Sequence, residues 1–297
     1  MKKKDELMPA WSEKQKHLSP AETARQECLR QELHRCAGQD ERRQVLENSI
    51  CSGQLEVYYQ PKHHASTGAL VGAEALVRWR HPSLGLLYPQ TFFPLLEEYA
   101  LLSRLDQFVW ERVCRDLRKW MDDGVPVIPV SVNTARQDYL EEGVSRLWSE
   151  AAQTYNIPLE LLHLEVPETI VGDIEDEMAE QLSQCRSSGI QVEIDDFGIG
   201  YSSLSRLNAF PVDIIKLDKT FLDSIFREKG MCILRSCISM AKMLNMKIVA
   251  EGVETAEQMD LLKQLECDIV QGFYYSQALP KTEFEGYLQR NLCKACC

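Results

Sequence analysis

The chain has 297 residues, 44% hydrophobic and 26% charged, with a formal net charge of −12. That length suits one large domain or two small ones around a core of substantial size. The acidic balance argues against non-specific nucleic-acid binding, and a small anionic substrate binds such a surface only where cations or local Arg and Lys offset the field.

The opening MKKKDELMPAWSEKQK is charged and polar throughout, unlike a secretory signal. No apolar run approaches the length needed to cross a bilayer. Eleven cysteines at irregular spacing are expected to be free thiols in a reducing cytoplasm. Ala21 to Ile50 is rich in Glu, Gln and Arg, with Leu29, Leu33 and Cys36, then Val45 and Leu46, at helical spacing. It reads as one or two amphipathic helices broken near Gly38. The apolar stripe is too short for a sustained coiled coil, so residues 1–42 are expected to be a solvated, partly disordered helical leader.

From Leu55 short β-branched segments alternate with amphipathic ones. Strands are predicted at Val57–Gln60, Leu70–Trp79, Val127–Asn133, Leu162–Val166, Ile190–Asp195, Ile214–Leu217, Lys247–Ala250 and Asp268–Val270. Helices are predicted within Pro89–Asp122 (two of them), Asp173–Ser188 and Gly230–Leu244. This alternation is that of an α/β protein, a TIM-type (β/α)8 barrel. Only Pro61 to Ala69 separates the first two strands, too short for a parallel crossover, so the first strand is expected to be antiparallel. His63 and His64 fall in this connection and are expected to be exposed on a turn. The Cys293-x-x-Cys296-Cys297 run in the tail, residues 291–297, is half of a zinc motif with no second pair, and inert thiols are expected there.

Polar residues stand where predicted strands end or are otherwise fit for burial: Glu74, Asn133, Glu165, Asp195, Asp196, Lys216, Glu251 and Gln271. The C-terminal ends of barrel strands converge on one mouth. Five carboxylates brought together there repel unless cations bind. Oxygen ligands without Cys or His suit hard ions such as Mg²⁺ or Mn²⁺. Two such ions about 3.5–4 Å apart clamp a phosphodiester for in-line attack. Lys216 would hold the attacking water or a phosphate oxygen. Arg78, four residues after Glu74 on an extended strand, would share its face and grip a phosphate or a base.

At these residues the chain resembles the EAL-domain family. Glu74-Ala75-Leu76 carries the naming tripeptide. The likeness continues through Tyr59-Gln60-Pro61, Ser131-Val132-Asn133, Asp195-Asp196-Phe197-Gly198, Asp213-x-x-Lys216-x-Asp218, Ala250-Glu251-Gly252-Val253-Glu254-Thr255 and Gln271-Gly272. The resemblance implies a domain over residues 43–290 that opens cyclic di-GMP to linear pGpG, usually as a homodimer. It implies that Glu74, Asn133, Glu165, Asp195, Asp196 and Glu251 bind metal, and that Lys216, with Glu251 and Gln271, organises the attacking water. Gln60 and Arg78 would contact substrate, while Glu168 and Glu254 would steady loops. Pro167, Ile199 and Ala278 depart from the family pattern without removing a ligand. A receptor that binds without cutting, and a protein-interaction module, are the competing readings. Such modules lose metal ligands or the lysine, and this sequence retains them. Asp196-Phe197-Gly198 also occurs in kinases, but the glycine-rich and His-Arg-Asp motifs are absent. No GGDEF motif occurs, so a stand-alone domain or a fragment of a longer chain is expected.

Overall fold

The computed structural model describes residues 18–134, 143–168, 176–198, 207 and 210–292. Residues 1–17 of the leader, Ile199, and Cys293, Cys296 and Cys297 of the tail lie outside the described residues. In chain order the elements are α1 (Pro20–His34), α2 (Gln39–Cys51), β1 (Leu55–His64), β2 (Leu70–His81), β3 (Gly85–Leu87), α3 (Pro89–Glu98), α4 (Leu102–Asp122), β4 (Val130–Asn133) and α5 (Val144–Tyr155). There follow β5 (Leu162–Pro167), α6 (Asp176–Ser188), β6 (Gln191–Phe197), β7 (Ile214–Leu217), α7 (Lys219–Asp223), α8 (Glu228–Met243), β8 (Lys247–Ala250), α9 (Ala256–Gln264), β9 (Ile269–Gln271), β10 (Leu279–Pro280) and α10 (Lys281–Leu292).

The chain divides into two compact units: residues 1–56 with 77–105, and residues 57–76 with 106–297. In the first, α1 begins at a capping box. Ser19 Oγ accepts the Glu22 N–H at 3.2 Å, and the Glu22 carboxylate accepts the Ser19 N–H at 2.9 Å. Pro20, whose missing N–H costs nothing at a helix start, follows. Gly38 is the cap between α1 and α2, as the break in the pattern predicts. These helices do not stand free in solvent: Leu29, Leu33, Leu46 and Ile50 are all buried, as are Phe92, Leu95 and Leu96 of α3. Trp79 Nε1 donates to Gln54 Oε1 at 3.0 Å, and the Arg80 guanidinium grips Glu56 through two bonds of 2.7 and 2.9 Å. Arg78 stacks over the Tyr88 ring at 4.9 Å and donates to the Val77 carbonyl at 2.8 Å.

The second unit contains the barrel. Strands run in the order β1-β9-β8-β7-β6-β5-β4-β2, and β1 also pairs with β2, closing eight strands. From β2 through β9 the neighbours are parallel, while β1 meets β9 antiparallel, with Lys62 opposite Gln271. The short first connection therefore has the predicted consequence: one reversed strand. Val130, Val132, Leu162, Leu164, Val192, Ile194, Ile214, Ile248 and Val249 are buried, the near-continuous apolar reading of strands covered on both faces. Pro167 ends β5 opposite Asp195, where the missing donor is tolerated at a strand end. On the outside, Tyr59 stacks on Phe284 and meets Trp120 edge-on, each at 5.2 Å. The Tyr59 hydroxyl donates to Asp116 at 2.8 Å, and Lys281 holds the other Asp116 oxygen at 2.8 Å.

Two details differ from the sequence reading. The added strands β3 and β10 pair antiparallel with the ends of β2 and β1; at three and two residues they are too short to show a period. His63 is not an exposed turn residue. Strand β1 runs on to His64, and His63 is 1% exposed, its ring 3.9 Å from that of Tyr275 and its Nε2 3.1 Å from the Tyr287 hydroxyl. The apolar packing of strand and C-terminal helix outweighed the polarity of the residue.

Candidate active site

At the centre of the barrel lies Lys216, on β7 and fully buried. Its Nζ is 2.7 Å from Asp195 Oδ1, 2.7 Å from Glu251 Oε1, 2.9 Å from Glu165 Oε2 and 3.5 Å from Glu74 Oε2. Carboxylates from β2, β5 and β6, and from the residue after β8, thus meet around one ammonium group.

Asp195, Asp196 and Glu251 also present oxygens that all lie within 4.8 Å of one another. Consecutive strand residues normally face opposite sides of a sheet. Here the pairing of β6 with β7 shifts between Ile194 and Phe197, and Asp196 adopts φ 56°. Such an irregularity re-aims a side chain, and it lets neighbours in sequence share one site. Gly198 follows at φ 96°. A Cβ there would sit 2.2 Å from Phe221 Cζ, so only glycine fits.

Of the remaining predicted residues, Gln271 and Asn133 bond directly to these carboxylates, and Gln60 bonds to Gln271. Gln271 Nε2 donates to Glu74 Oε2 at 2.5 Å and to Gln60 Oε1 at 3.2 Å, and Gln60 Nε2 reaches the Ser276 carbonyl at 3.3 Å. Asn133 Nδ2 donates to Glu165 Oε2 at 3.3 Å. Glu168 accepts the Gly198 N–H at 2.9 Å, tying the end of β5 to the residue after β6. Glu254 is exposed and paired with Lys219 at 2.6 Å, while its N–H bonds Gln258 Oε1 at 2.8 Å at the start of α9. Arg78 belongs to the first compact unit, with the contacts given above.

Beneath Glu165 lies a group that the sequence reading passed over. Lys62 Nζ contacts Glu193 Oε2 at 2.7 Å, Ser131 Oγ at 2.7 Å and Glu165 Oε1 at 3.1 Å. His163 Nδ1 is 2.7 Å from Glu193 Oε1. A signal for this group was present. Ser131, His163 and Glu193 each stand two residues before Asn133, Glu165 and Asp195, the spacing that repeats one face of a strand.

Burial alone would lower the pKa of Lys216, but Asp195, Glu165, Glu251 and Glu74 hold it well above the usual lysine value. Burial, with Glu165 nearby, pushes Glu74 up to about 7. Burial would raise Glu193, yet Lys62 and His163 hold it well below the usual carboxylate range. Lys62 is raised because Glu193 and Glu165 outweigh its burial.

The two lysines share the site with Glu74, Glu165, Glu193, Asp195, Asp196 and Glu251, a surplus of negative charge. Lys216 meets part of it, so the carboxylates are not held apart by repulsion alone. The Asp195, Asp196 and Glu251 oxygens nonetheless form an all-oxygen donor set suited to a hard cation. Gln271 Oε1 is buried with no hydrogen-bond partner among the described residues. A divalent cation fits these donors.

A reversed-strand barrel with acidic residues gathered at its core defines the class, and the comparisons agree: the chain matches the EAL domain over residues 43–278 and belongs to that family. It is 36% identical over 261 residues to the cyclic di-GMP phosphodiesterase NbdA of Pseudomonas aeruginosa, covering 88% of this chain and 33% of that protein. It is 35% identical over 240 residues to the cyclic di-GMP phosphodiesterase RocR of the same organism, covering 80% of this chain and 60% of RocR. The chain thus spans about a third to three fifths of the length of these relatives. A solved structure of the MucR phosphodiesterase of Pseudomonas aeruginosa in complex with cyclic di-GMP superposes with a TM-score of 0.75 at 34% identity, over 80% of this chain and 97% of that one. Among the described residues no helix is long and apolar enough to cross a membrane.

Proposed function

We propose that this chain hydrolyses cyclic di-GMP to linear pGpG with Mg²⁺ or Mn²⁺, two ions per site, lowering the level of the messenger. The observation that carries the reading is the meeting of Asp195, Asp196 and Glu251 oxygens within 4.8 Å beside the Lys216 ammonium. Family membership and relatives named as cyclic di-GMP phosphodiesterases support the substrate.

In this proposal Glu74, Asn133, Glu165, Asp195, Asp196 and Glu251 hold the ions. When bound, the ions supply Lewis acidity at the phosphate and lower the pKa of water. Lys216 donates to the attacking water or to a phosphate oxygen. Glu251 and Gln271 orient that water, Gln271 being itself held against Glu74. Gln60 and Arg78 contact the substrate. Glu168, through the Gly198 N–H, sets the loop after the Asp pair, and Glu254 braces the segment leading into α9. We place the reaction in the cytoplasm, where buried thiols such as Cys114, Cys185 and Cys267 stay reduced, and in a homodimer.

Chromatography of the products from cyclic di-GMP, with and without Mn²⁺, tests the reading beside Glu74→Ala. Cation-dependent pGpG from the wild type and none from the variant is expected. Tight nucleotide binding without product would favour a receptor instead.

A further inference from the structure

The interior of a TIM barrel is ordinarily filled by layers of branched apolar side chains. Next to the candidate site this barrel carries an ionic group. Lys62 is 4% exposed and Glu193 1% exposed, with Ser131 and His163 completing their contacts. A buried ion pair gains little stability over apolar residues of the same volume, because desolvation cancels the attraction. The group therefore calls for a reason other than stability, and its bond to Glu165 supplies it. Glu165 is held from both sides. Oε1 is bonded by Ser131 Oγ at 2.5 Å and Lys62 Nζ at 3.1 Å, while Oε2 is bonded by Lys216 at 2.9 Å and Asn133 at 3.3 Å.

We infer that Lys62, anchored by the Glu193–His163 pair, is a positioning residue that pins Glu165 Oε1 and so presents Oε2 to the cation site. The inference rests on the proposed role of Glu165 as a cation ligand. The reversed strand is what makes the arrangement possible. Among the eight barrel strands β1 alone runs against its neighbours, so a side chain two residues past Gln60 points deeper into the barrel, under the site.

A role in positioning and a role in charge balance predict opposite results. If Lys62 acted only as a counter-ion, its removal alone would leave more negative charge and tighten cation binding, and its removal together with the Glu193 charge would leave binding unchanged. If it positions Glu165, its removal weakens binding. The test compares wild type, Lys62→Met and the double variant Lys62→Met/Glu193→Gln by Mn²⁺ calorimetry, by kcat and KM for cyclic di-GMP, and by thermal melting. The single variant leaves Glu193 buried and unpaired and is expected to melt early. The double variant removes that charge and is expected to fold. In it, loss of a supporting partner should weaken Mn²⁺ binding about 10–100-fold, and kcat should fall comparably while KM moves less than about threefold. A double variant with wild-type or tighter Mn²⁺ affinity and wild-type kcat overturns the inference. If the wild type binds Mn²⁺ but makes no pGpG, the phosphodiesterase reading fails while the calorimetric comparison still decides the role of Lys62. A wild type that binds no cation overturns both.

Discussion

Lys216 illustrates what a single buried charge can organise. Its ammonium is the common partner of Glu74, Glu165, Asp195 and Glu251, and Glu165 meets Lys62 as well. Lys216→Met should destabilise the cation-free protein by about 3–5 kcal/mol, the usual result of stripping the partner from buried charges. Added Mn²⁺ should then restore more stability to the variant than it adds to the wild type, because it replaces the missing positive charge. Thermal melts of both proteins with chelator and with Mn²⁺ measure this; equal Mn²⁺ increments would show that the ammonium and the cations answer to different carboxylates.

Among the elements, helix α9 starts from a capping box and strand β1 carries Gln60 and Lys62. The Thr255 hydroxyl caps α9 by accepting the Gln258 N–H at 3.2 Å, and Gln258 Oε1 returns to the Glu254 and Thr255 N–H groups. Thr255→Ala should cost about 1 kcal/mol in urea unfolding. Strand β1 carries a pH-sensitive contact. Burial lowers the pKa of His63 from 6.5 to about 4. The folded protein then resists protonation that the unfolded chain accepts. The stability from this residue is complete above pH 6.5 and is lost as pH falls towards 4, amounting at most to about 3 kcal/mol. His63→Phe, which keeps the stack on Tyr275, should flatten that part of the stability profile relative to wild type. Parallel profiles for the two proteins would mean that His63 is not the group responsible.

For the molecule as a whole, the proposed cations act as ligands of the native state alone. At a concentration one hundred times the dissociation constant a bound ion adds about 2.7 kcal/mol, so chelation should lower the melting temperature by several degrees. A melting temperature indifferent to chelator and to Mn²⁺ would leave the acidic cluster as an internal salt-bridge network. The net charge of −12 makes the same point at long range, since an anionic substrate approaches a repulsive surface that cations at the site offset.

Much of this was legible in the order of residues. Alternating β-branched and amphipathic segments determined the barrel, because each period, two or about 3.6, has one face to bury. The brevity of Pro61 to Ala69 determined the reversed strand, because no parallel crossover is that short. The strand-end positions of Glu74, Glu165, Asp195 and Glu251 foretold that these carboxylates meet, because barrel strands share one mouth. Tertiary structure alone decided the rest. It decided that Asp195 and Asp196 point to one place, since a bulge overrides strand alternation. It decided that Lys62 reaches Glu165 and Glu193, across 103 and 131 positions of sequence, and that His63 is buried. Each of these depends on which strands lie side by side, and a period along one strand carries no information about its neighbours.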